Sequence, residues 1–440
     1  MAEQPRALKE CAREIFAATL AQLDLGCAFQ RKITRHGTRL ALGNDTLELG
    51  GYRDILTISF GKAAWAMAVS LVETLAPDFS PHGIAVSNTL PPENLPGFRT
   101  FVAGHPYPNG ESLAAAEAIL AALAKTDEKT LVFFLISGGG SALVEKPLPG
   151  LTLDDLCGVH QVLVNCGARI AEVNAIRKHL SAVKGGRLAE AAPQAERVTI
   201  LVSDVPEGEL DTIASGPTLP DASSVEDCYQ VAARYHLRPD FPLSIRRLFE
   251  QRTLAETPKG DRPVFARGRV FVLLSSRDVL HAAHRAAGAL GFLPECDMCC
   301  DEWEVERAAD FLLDRVRALR REAPGQPVCL ISGGELSSPV TGAGQGGRNQ
   351  AFVLYAVLKI AGESLAVLSA GTDGIDGNSP AAGAVADGET LVRARANGMD
   401  VEDYFQRSDS YHFFRALGDA ILIGPQPLNL RDLRLLLAPP

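Results

Sequence analysis

The sequence predicts an α/β fold divided into two domains, and three observations carry this prediction. The chain has 440 residues, which exceeds the length at which one hydrophobic core usually stops growing. Two apolar runs, at 131–136 and 328–331, each stop at Ser-Gly-Gly, as short buried parallel strands do. Strands and helices alternate on both sides of residues 219–268, as they do in βαβ units. Because ligands bind at the carboxyl ends of parallel strands, we expect an enzyme whose site lies between two α/β halves.

The first half is expected to contain four strands of a largely parallel sheet, with helices between them. In chain order the sequence predicts an amphipathic helix at 8–23, a strand at 54–60 followed by an Ala-rich helix, a strand at 84–87, a helix at 111–125, a strand at 131–137, a mostly helical segment at 153–192 that breaks at Gly185-Gly186, and a strand at 197–203 that ends at Asp204.

A change of composition separates this half from the next. Residues 219–268 are rich in Pro, Asp and Arg, which indicates a connection, and we place the domain boundary near 245–268. After it the sequence predicts a strand at 269–275, helices at 279–290 and 303–321, strands at 328–332, 365–370 and 420–423, and a Leu-rich tail.

Composition and charge exclude several function classes. The formal net charge is −10, whereas phosphate backbones attract basic surfaces, so a nucleic-acid partner is not expected. The N-terminal segment lacks the apolar core of a signal peptide. No apolar run approaches the roughly 18 residues that cross a membrane, so no membrane partner is expected. We predict small-molecule partners and a monomer or small homo-oligomer.

The nine cysteines indicate a reducing compartment. Their number is odd and most lie in apolar segments, as free thiols of a cytoplasmic protein do. Cys296, Cys299 and Cys300 are close enough in sequence to ligate a metal. No second Cys or His pair follows at the spacing of a zinc finger, so buried thiols are the favoured interpretation.

Lys62 is the first candidate for binding an anion. It follows a strand and Gly61 and opens an Ala-rich helix, a position that directs its ammonium toward whatever binds at the helix N-terminus. The segment is not a Walker A loop, because the glycine five residues earlier and the hydroxyl residue after the lysine are absent. A solvated lysine at a helix start is the alternative.

The turn after the strand at 131–137 is a candidate phosphate cradle. Gly138, Gly139 and Gly140 precede Ser141, and glycine amides followed by a helix-capping serine can surround an anion. A nucleophile elbow is excluded, since its second glycine would stand where Leu143 does. The alternative is a tight turn between a strand and a helix.

A polar stripe is predicted on a helix at 165–184. Asn174, Arg177, Ser181 and Lys184 are three, four and three residues apart, which places them on one helical face. A stripe with two cations suits a carboxylate or phosphate ligand. The alternative is a solvated helix face.

Asp204 is the candidate base of the first half. It stands at the carboxyl end of a predicted buried strand, where general bases and metal ligands lie in α/β enzymes. An acidic residue that caps a helix or turn is the alternative.

Two segments of the second half carry the remaining candidates. The glycine loop 342–347 matches G-x-G-x-x-G by letter but does not directly follow a long strand, so anion recognition is favoured over a dinucleotide site. Its candidate residues are Gly346, Gly347, Arg348 and Asn349. Further on, Asp373 and Asp376 lie in a glycine-rich turn, where carboxylates can hold Mg²⁺ or a ribose hydroxyl. A flexible loop and solvated acidic residues are the alternatives.

Taken together and in this order, these segments resemble the MOFRL-type glycerate kinases, the class II glycerate 2-kinases. The matching segments span residues 59 to about 388 and read SFGKAAWAMA, GHPYPNGE, ISGGGSALVEKPLPGLTL, GARIAEVNAIRKHLSAVKGGRLA, SDVPEGELDTIASGPTLPD, ISGGE, GAGQGGRNQA and SAGTDGIDGNSPAAGAV.

The resemblance implies a Rossmann-like N-terminal domain at 1–250, a smaller MOFRL-type domain at 265–440 and an active site in the cleft between them. It implies transfer of the γ-phosphoryl group of ATP to the 2-hydroxyl of D-glycerate with Mg²⁺. On that basis the expected roles are catalysis by Lys62, Asp204 and Arg348; substrate binding by Asn174, Arg177 and Lys184; nucleotide or phosphate binding by Gly138, Gly139, Gly140, Ser141, Gly346, Gly347 and Asn349; and metal binding by Asp373 and Asp376.

One segment departs from the family pattern. The family usually has a GPTGTN-like turn followed by Asp, but residues 424–428 read GPQPL before Asn429 and Asp432. Two alternative functions therefore stay open. A hydroxypyruvate reductase would need a dinucleotide fingerprint that the sequence lacks, and a non-catalytic binding protein could keep the fold without the activity.

Overall fold

The computed structural model describes residues 7–206, 208–426 and 428–440. Its helices are α1 (Leu8–Gln22), α2 (Leu25–Lys32), α3 (Ala64–Leu75), α4 (Gly110–Leu123), α5 (Gly140–Leu143), α6 (Leu153–Asn165), α7 (Ile170–Leu180), α8 (Arg187–Glu190), α9 (Val225–Arg234), α10 (Leu243–Gln251), α11 (Ser276–Ala289), α12 (Val305–Glu322), α13 (Arg348–Lys359), α14 (Thr390–Ala396), α15 (Val401–Gln406) and α16 (Ser410–Leu417). Its strands are β1 (Ile33–His36), β2 (Arg39–Leu42), β3 (Asp45–Glu48), β4 (Asp54–Phe60), β5 (His82–Ser87), β6 (Phe98–Val102), β7 (Thr130–Ile136), β8 (Glu196–Val202), β9 (Gly268–Leu274), β10 (Leu293–Asp297), β11 (Val328–Gly333), β12 (Ala366–Gly371), β13 (Gly383–Asp387), β14 (Ala420–Ile421) and β15 (Asp432–Ala438).

The chain forms two compact units. The central unit is Leu25–Leu273, and the terminal unit combines the described part of Met1–Asp24 with Leu274–Pro440. Helix α1 thus groups with the C-terminal residues, which differs from the continuous N-terminal domain expected at 1–250. The described helices include none long and apolar enough to cross a membrane.

The central unit is built on a six-stranded sheet in the order β6-β5-β4-β7-β8-β9. The pairs from β6 to β8 are all parallel, which confirms the predicted mostly parallel sheet. Every residue of β7 is buried, so an apolar run without alternation is what this position requires. Phe60 pairs with Ile136, and Ile136 pairs with Leu201. Strands β4, β7 and β8 therefore end side by side, and the loops that follow them meet at one edge.

A helical layer completes the central unit. Helices α6, α7, α9 and α10 share a buried cluster that includes Leu163, Ile176, Cys228, Phe241 and Phe249. The sequence interpretation treated the region from residue 219 as a connection, yet α9 and α10 contribute apolar faces to this cluster. Strand β9, expected to begin the second half, is the edge strand beside β8. A three-stranded antiparallel sheet, β1-β2-β3, was not predicted.

The terminal unit has a mixed six-stranded sheet in the order β10-β11-β15-β12-β13-β14. Only β10 and β11 pair in parallel, because the last strand, β15, inserts antiparallel between β11 and β12. The apolar run of β11 is buried as predicted, but its main partner is the Leu-rich tail. Helices α12 and α13 cover this sheet with a core that includes Leu312, Phe352 and Leu436.

Candidate active site

Two strand-end turns of the central unit are bonded to each other. The Lys62 amide donates to the Gly138 carbonyl at 2.9 Å, and the Ala63 amide donates to Ser137 Oγ at 3.0 Å. Gly61 has φ of 126°, and a Cβ there would lie 2.2 Å from Ser137 Oγ. Only glycine allows this approach, so the Gly61-Lys62 turn and the Ser137–Gly140 turn form one surface.

Two glycines of the 138–140 turn lie against different polar side chains of the candidate site. A Cβ on Gly138 would lie 2.2 Å from Asp204 Oδ2. A Cβ on Gly139 would lie 3.2 Å from the His105 ring and 3.4 Å from Lys62 Cγ. The three loops after β4, β7 and β8 therefore bring Lys62, the glycine turn and Asp204 together. His105, on the loop after β6, was not assigned a role.

Lys62 is a cation without an acidic partner. Its side chain makes no hydrogen bond or ion pair with any residue in the described ranges. The Lys62 charge helps to lower the pKa of His105, whose main cause of shift is burial. A preorganised ammonium next to a glycine turn is a site for an anion.

Ser141 connects the glycine turn to α7. Its hydroxyl is 2.9 Å from Ser215 Oγ, which in turn donates to Asn174 Oδ1 at 3.3 Å. Ser215 and Ala214 both have positive φ, at 62° and 50°. Left-handed backbone at consecutive non-glycine residues is strained and recurs where geometry serves function. The chain Ser141–Ser215–Asn174 thus fixes one side of the site.

The predicted four-residue stripe is not a single helical face. Helix α7 begins at Ile170 and ends at Leu180. Ser181 forms an isolated bridge with Pro147, and Lys184 follows in a turn. The helix ends early because Ser181 leaves the helical conformation, with φ of −109° and ψ of 141°. Asn174 and Arg177 remain one turn apart on α7, whereas Lys184 reaches the same region from the following loop.

Glu145 is the buried carboxylate that pairs with Lys184 and lies near Arg177. It is 5% exposed and accepts hydrogen bonds from Ser181 Oγ, at 2.6 Å, and from Lys184 Nζ. Burial lowers the pKa of Lys184, while the charge of Glu145 acts to raise it. Lys184 is therefore a buried, paired cation rather than an open binding group.

Arg177 differs from Lys184 in having no paired carboxylate among the described residues. Burial lowers its pKa, and the nearby charge of Glu145 opposes that shift. Across residues 7–206, 208–426 and 428–440, Arg177 has neither a hydrogen bond nor an ion pair. Next to it, burial and then the charges of Arg177 and Lys184 lower the pKa of His160 to about 4. A guanidinium left without a partner in such a setting is suited to a carboxylate ligand.

Arg348 opens α13 in the terminal unit and is already paired. Its Nε and Nη2 donate to the two oxygens of Asp432 at 2.6 and 3.1 Å, and Nη2 lies 3.0 Å from Glu335 Oε1. Burial acts to lower the pKa of Arg348, but the hydrogen bonds and charge of Asp432 outweigh it and the pKa is raised. Two residues were assigned no role from the sequence. Glu335 directly follows Gly333-Gly334, and Asp432 is the first residue of β15.

The glycine loop before α13 is satisfied by protein groups. The Gly346 amide donates to Asn378 Oδ1 at 2.8 Å. Asp376 accepts from the amide and side chain of Asn349 and from those of Gln350, at 2.8–3.3 Å. A Cβ on Gly347 would lie 2.4 Å from Asp376 Oδ1. A carboxylate of the chain itself therefore occupies the helix N-terminus that was expected to receive a phosphate.

The two predicted metal ligands, Asp373 and Asp376, differ in exposure and in hydrogen bonding. Asp376 is 2% exposed, and burial raises its pKa to about 6. Asp373 is partly exposed, and within the described ranges its carboxylate accepts a single hydrogen bond, from the Ile375 amide at 3.2 Å. A Cβ on Gly371 would lie 3.0 Å from Asp373 Oδ1 and 3.4 Å from Asp432 Oδ1. Asp432 is thus the carboxylate that accompanies Asp373.

Other sequence candidates have simpler positions. Cys296 and Cys299 are exposed while Cys300 is buried, and the described residues contain no group of three metal-ligating side chains. In the divergent turn, the Gln426 amide donates to the Asp373 carbonyl at 2.7 Å. Pro427 lies outside the described residues.

Comparisons with known proteins place the chain among characterised relatives. A domain of unknown function, DUF4147, matches residues 11–250, and the MOFRL family matches residues 328–432. A D-glycerate 2-kinase from Thermotoga maritima is 35% identical over 383 residues, which cover 86% of this chain and 89% of that protein. A protein from Agrobacterium vitis named as a candidate hydroxypyruvate reductase is 35% identical over 435 residues, covering 98% of this chain and 94% of that protein.

A solved structure agrees with these matches. The crystal structure of a glycerate kinase from Thermotoga maritima has a TM-score of 0.84 to this chain at 33% identity. The match covers 98% of this chain and 99% of that one.

Proposed function

The chain belongs to the MOFRL family of glycerate kinases, and we propose that it transfers the γ-phosphoryl group of ATP to the 2-hydroxyl of D-glycerate. The products are 2-phosphoglycerate and ADP. Phosphoryl transfer asks a protein mainly for positioning and for charge around the transferred group. The observation that carries the proposal is the pair of cations, Lys62 and Arg177, that have no acidic partner among the described residues.

Lys62 is proposed to neutralise charge on the transferring phosphoryl group. Its stem lies against Gly139, so the ammonium is presented from a rigid turn instead of a mobile surface side chain. Such preorganised donors stabilise charge that develops in the transition state. The lowered pKa of His105 favours a neutral imidazole next to Lys62, which adds no competing charge.

Asp204 is proposed to accept the proton of the 2-hydroxyl or to orient that hydroxyl. Its carboxylate lies against Gly138, and the Lys62 stem lies against the adjacent Gly139. A carboxylate that contacts the same turn as the phosphoryl-binding lysine is placed to act on the attacking oxygen.

Arg177 and Asn174 are proposed to bind the glycerate carboxylate and hydroxyls. A guanidinium recognises a carboxylate through two parallel hydrogen bonds. Lys184 supports this site indirectly, because it forms an ion pair with Glu145. That carboxylate is then not available to pair with Arg177. The Ser141–Ser215–Asn174 chain fixes the amide of Asn174.

The residues of the terminal unit fit Mg²⁺. Arg348 is paired with both Glu335 and Asp432, and Asp432 lies in the same turn region as Asp373, so carboxylates outnumber this guanidinium. Mg²⁺ is commonly held by one or two carboxylates together with substrate phosphates and water. We propose that Asp373 and Asp432 hold it, and that Asp376 instead stabilises α13. Bound Mg²⁺ would supply charge neutralisation to the phosphates of ATP.

The number of cysteines, nine, is odd and most of them lie in apolar segments, which is typical of a protein from a reducing environment. On this basis we propose a cytoplasmic location for the protein.

An assay coupled to enolase tests the function directly. Enolase consumes 2-phosphoglycerate and not 3-phosphoglycerate, so purified protein with ATP, Mg²⁺ and D-glycerate should give phosphoenolpyruvate without added mutase. ADP release that requires a mutase for coupling would place the phosphoryl group on the 3-hydroxyl. Oxidation of NADH or NADPH with hydroxypyruvate, without ADP release, would favour a reductase. Ligand binding with no turnover in any assay would favour a non-catalytic protein.

A further inference from the structure

A large cavity lies wholly within the terminal unit. Its volume is about 790 Å³, within the range of sites for cofactor-sized ligands. A three-carbon acid would fill only a small part of it. The cavity is formed by α12, α13 and α15 and by the two segments 336–341 and 344–347. None of the roles proposed above requires so large a space.

The walls of this cavity are apolar and fixed by packing. They include Val305, Leu336, Ala351, Leu354, Tyr404 and Phe405. The Tyr404 ring packs edge-on against Phe413 at 5.6 Å, and the Phe405 ring lies 5.9 Å from that of Tyr355. Rings held in this way make a preformed slot. A flat aromatic ligand can bind there with little loss of side-chain conformational entropy, because the rings are already ordered.

The rim of the cavity is polar and also ordered. The Thr341 hydroxyl donates to the Gln406 carbonyl at 2.8 Å, and the Thr341 amide donates to Ser408 Oγ at 3.0 Å. Ser337 and Ser338 add further hydroxyls to the lining. Hydroxyl and carbonyl groups around an apolar slot suit the hydroxyls of a sugar attached to a flat ring.

The lining of the cavity carries charges of both signs. Glu304 and Glu306 line the cavity from the start of α12, while Arg348 and the glycine loop line it at the start of α13. Gly344 and Gly346 lie tight against the segment 407–410, since a Cβ on either would come within 2.6 Å of it. The loop is therefore a flat floor that leads to Arg348, next to the proposed magnesium ligand Asp432.

We propose that this cavity binds the adenosine part of the nucleotide, with the polyphosphate directed toward Arg348. The apolar slot takes the purine, and the hydroxyl groups of the lining take the ribose. The inference rests on the proposed kinase function but adds the location of the nucleotide, which that function leaves open. The proposed nucleotide site then lies within the terminal unit.

Photolabelling of the full-length protein tests the location. With Mg²⁺ and 2-azido-ATP, labelled peptides should come from 336–341 or 404–408, and excess ATP should abolish the label. Label confined to 25–273 would overturn the inference. Because labelling needs binding only, a protein that labels at 336–341 but never phosphorylates glycerate would refute the proposed function and support the nucleotide site.

A matched pair of variants gives an independent readout. Ala351→Leu puts a larger side chain into the cavity and should raise the KM for ATP by about tenfold or more, the scale expected when a single side chain fills a ligand pocket. The KM for D-glycerate should change little. Ala289→Leu, at an exposed position of α11 away from the cavity, should leave both constants unchanged. An active Ala351→Leu enzyme with a normal KM for ATP would overturn the nucleotide site while leaving the kinase function intact.

Discussion

At the scale of single residues, Lys62 differs from Lys184 and Arg348, which are paired with Glu145 and Asp432, because no acidic side chain among the described residues neutralises it. Replacing it by Ala should lower kcat by a factor on the order of 10²–10³, the usual cost of losing a preorganised charge donor. Lys125→Ala, at an exposed position of the same unit, is the control and should keep full activity. Steady-state kinetics of both variants measure the effect. A Lys62→Ala enzyme with near-native kcat would show that Lys62 does not stabilise the transition state.

Arg177 provides a test of substrate recognition. Arg177→Lys keeps the charge but removes the fork that pairs with a carboxylate, so we expect the KM for D-glycerate to rise by roughly tenfold or more, consistent with the loss of one charged hydrogen bond. The KM for ATP should stay near its native value. The matched control is Arg247→Lys on the exposed face of α10. If the two variants behave alike, Arg177 does not bind the carboxylate.

His160 makes the same site sensitive to pH. Its pKa is lowered to about 4 by burial and by Arg177 and Lys184, whereas an unfolded chain binds this proton below about pH 6.5. Stability is therefore lost as the pH falls from 6.5 toward 4, by about 1–2 kcal/mol once partial exposure is allowed for. His160→Gln should flatten this part of the urea-unfolding profile. A wild-type profile no steeper than that of the variant would contradict the lowered pKa.

At the scale of secondary structure, the sequence predicted the buried strands well and the packing of helices poorly. Strands β4, β7 and β8 have continuous apolar runs that end in Gly or Asp, so both their positions and their common edge were predictable. The helix expected at 165–184 was interrupted and ended early, because Gly167 and Ser181 leave the helical conformation. The apolar faces of α9 and α10 were overlooked because Pro and charged residues surround them.

Two carboxylates near the N-terminus of α13 are expected to have different roles. Asp376 stabilises the helix, whereas Asp373 takes part in binding Mg²⁺. Asp376→Ala removes four buried hydrogen bonds from Asn349 and Gln350, of which only the Gln350 side-chain amide keeps another acceptor, Ser379 Oγ, among the described residues. It should lower the free energy of unfolding by roughly 2–4 kcal/mol. Asp373→Ala removes one exposed acceptor and should change stability little, while raising the Mg²⁺ concentration needed for half-maximal activity. Thermal unfolding and Mg²⁺ titrations of both variants distinguish these roles. Equal effects of the two substitutions on the Mg²⁺ requirement would show that Asp376 takes part in metal binding.

At the scale of the whole molecule, local patterns indicate candidate site residues but not the chain path that supports them. The cluster of Lys62, Asp204 and the glycine turn follows from adjacent parallel strands, so it could be inferred without coordinates. The partners of Arg348 and Lys184 could not, since Asp432 and Glu145 are 84 and 39 residues away in sequence. The insertion of β15 between β11 and β12 likewise depends on a pairing across about 60 residues or more that no local signal records.

Helix α1 shows that the terminal unit is assembled from both ends of the chain. It packs against α11, β12 and β15, and the Lys9 ammonium donates to Asp419 Oδ1 at 2.8 Å. Phe16 is 2% exposed in this interface. The amphipathic pattern of α1 was predictable, whereas its partners were not, because an apolar stripe does not specify which surface covers it.

Phe16→Ala should therefore destabilise the terminal unit selectively. Removing a buried phenyl ring costs about 3–5 kcal/mol, and the loss arises where α1 meets strands of residues 274–440. Hydrogen exchange followed by mass spectrometry should show faster exchange in peptides of β12 and β15, with little change in peptides of β4 and β7 in the central unit. Ala17→Ser, one residue further along at an exposed position, should exchange like the wild type. Faster exchange confined to 25–273 would mean that α1 supports the central unit, and the grouping of α1 with the C-terminal residues would then be wrong.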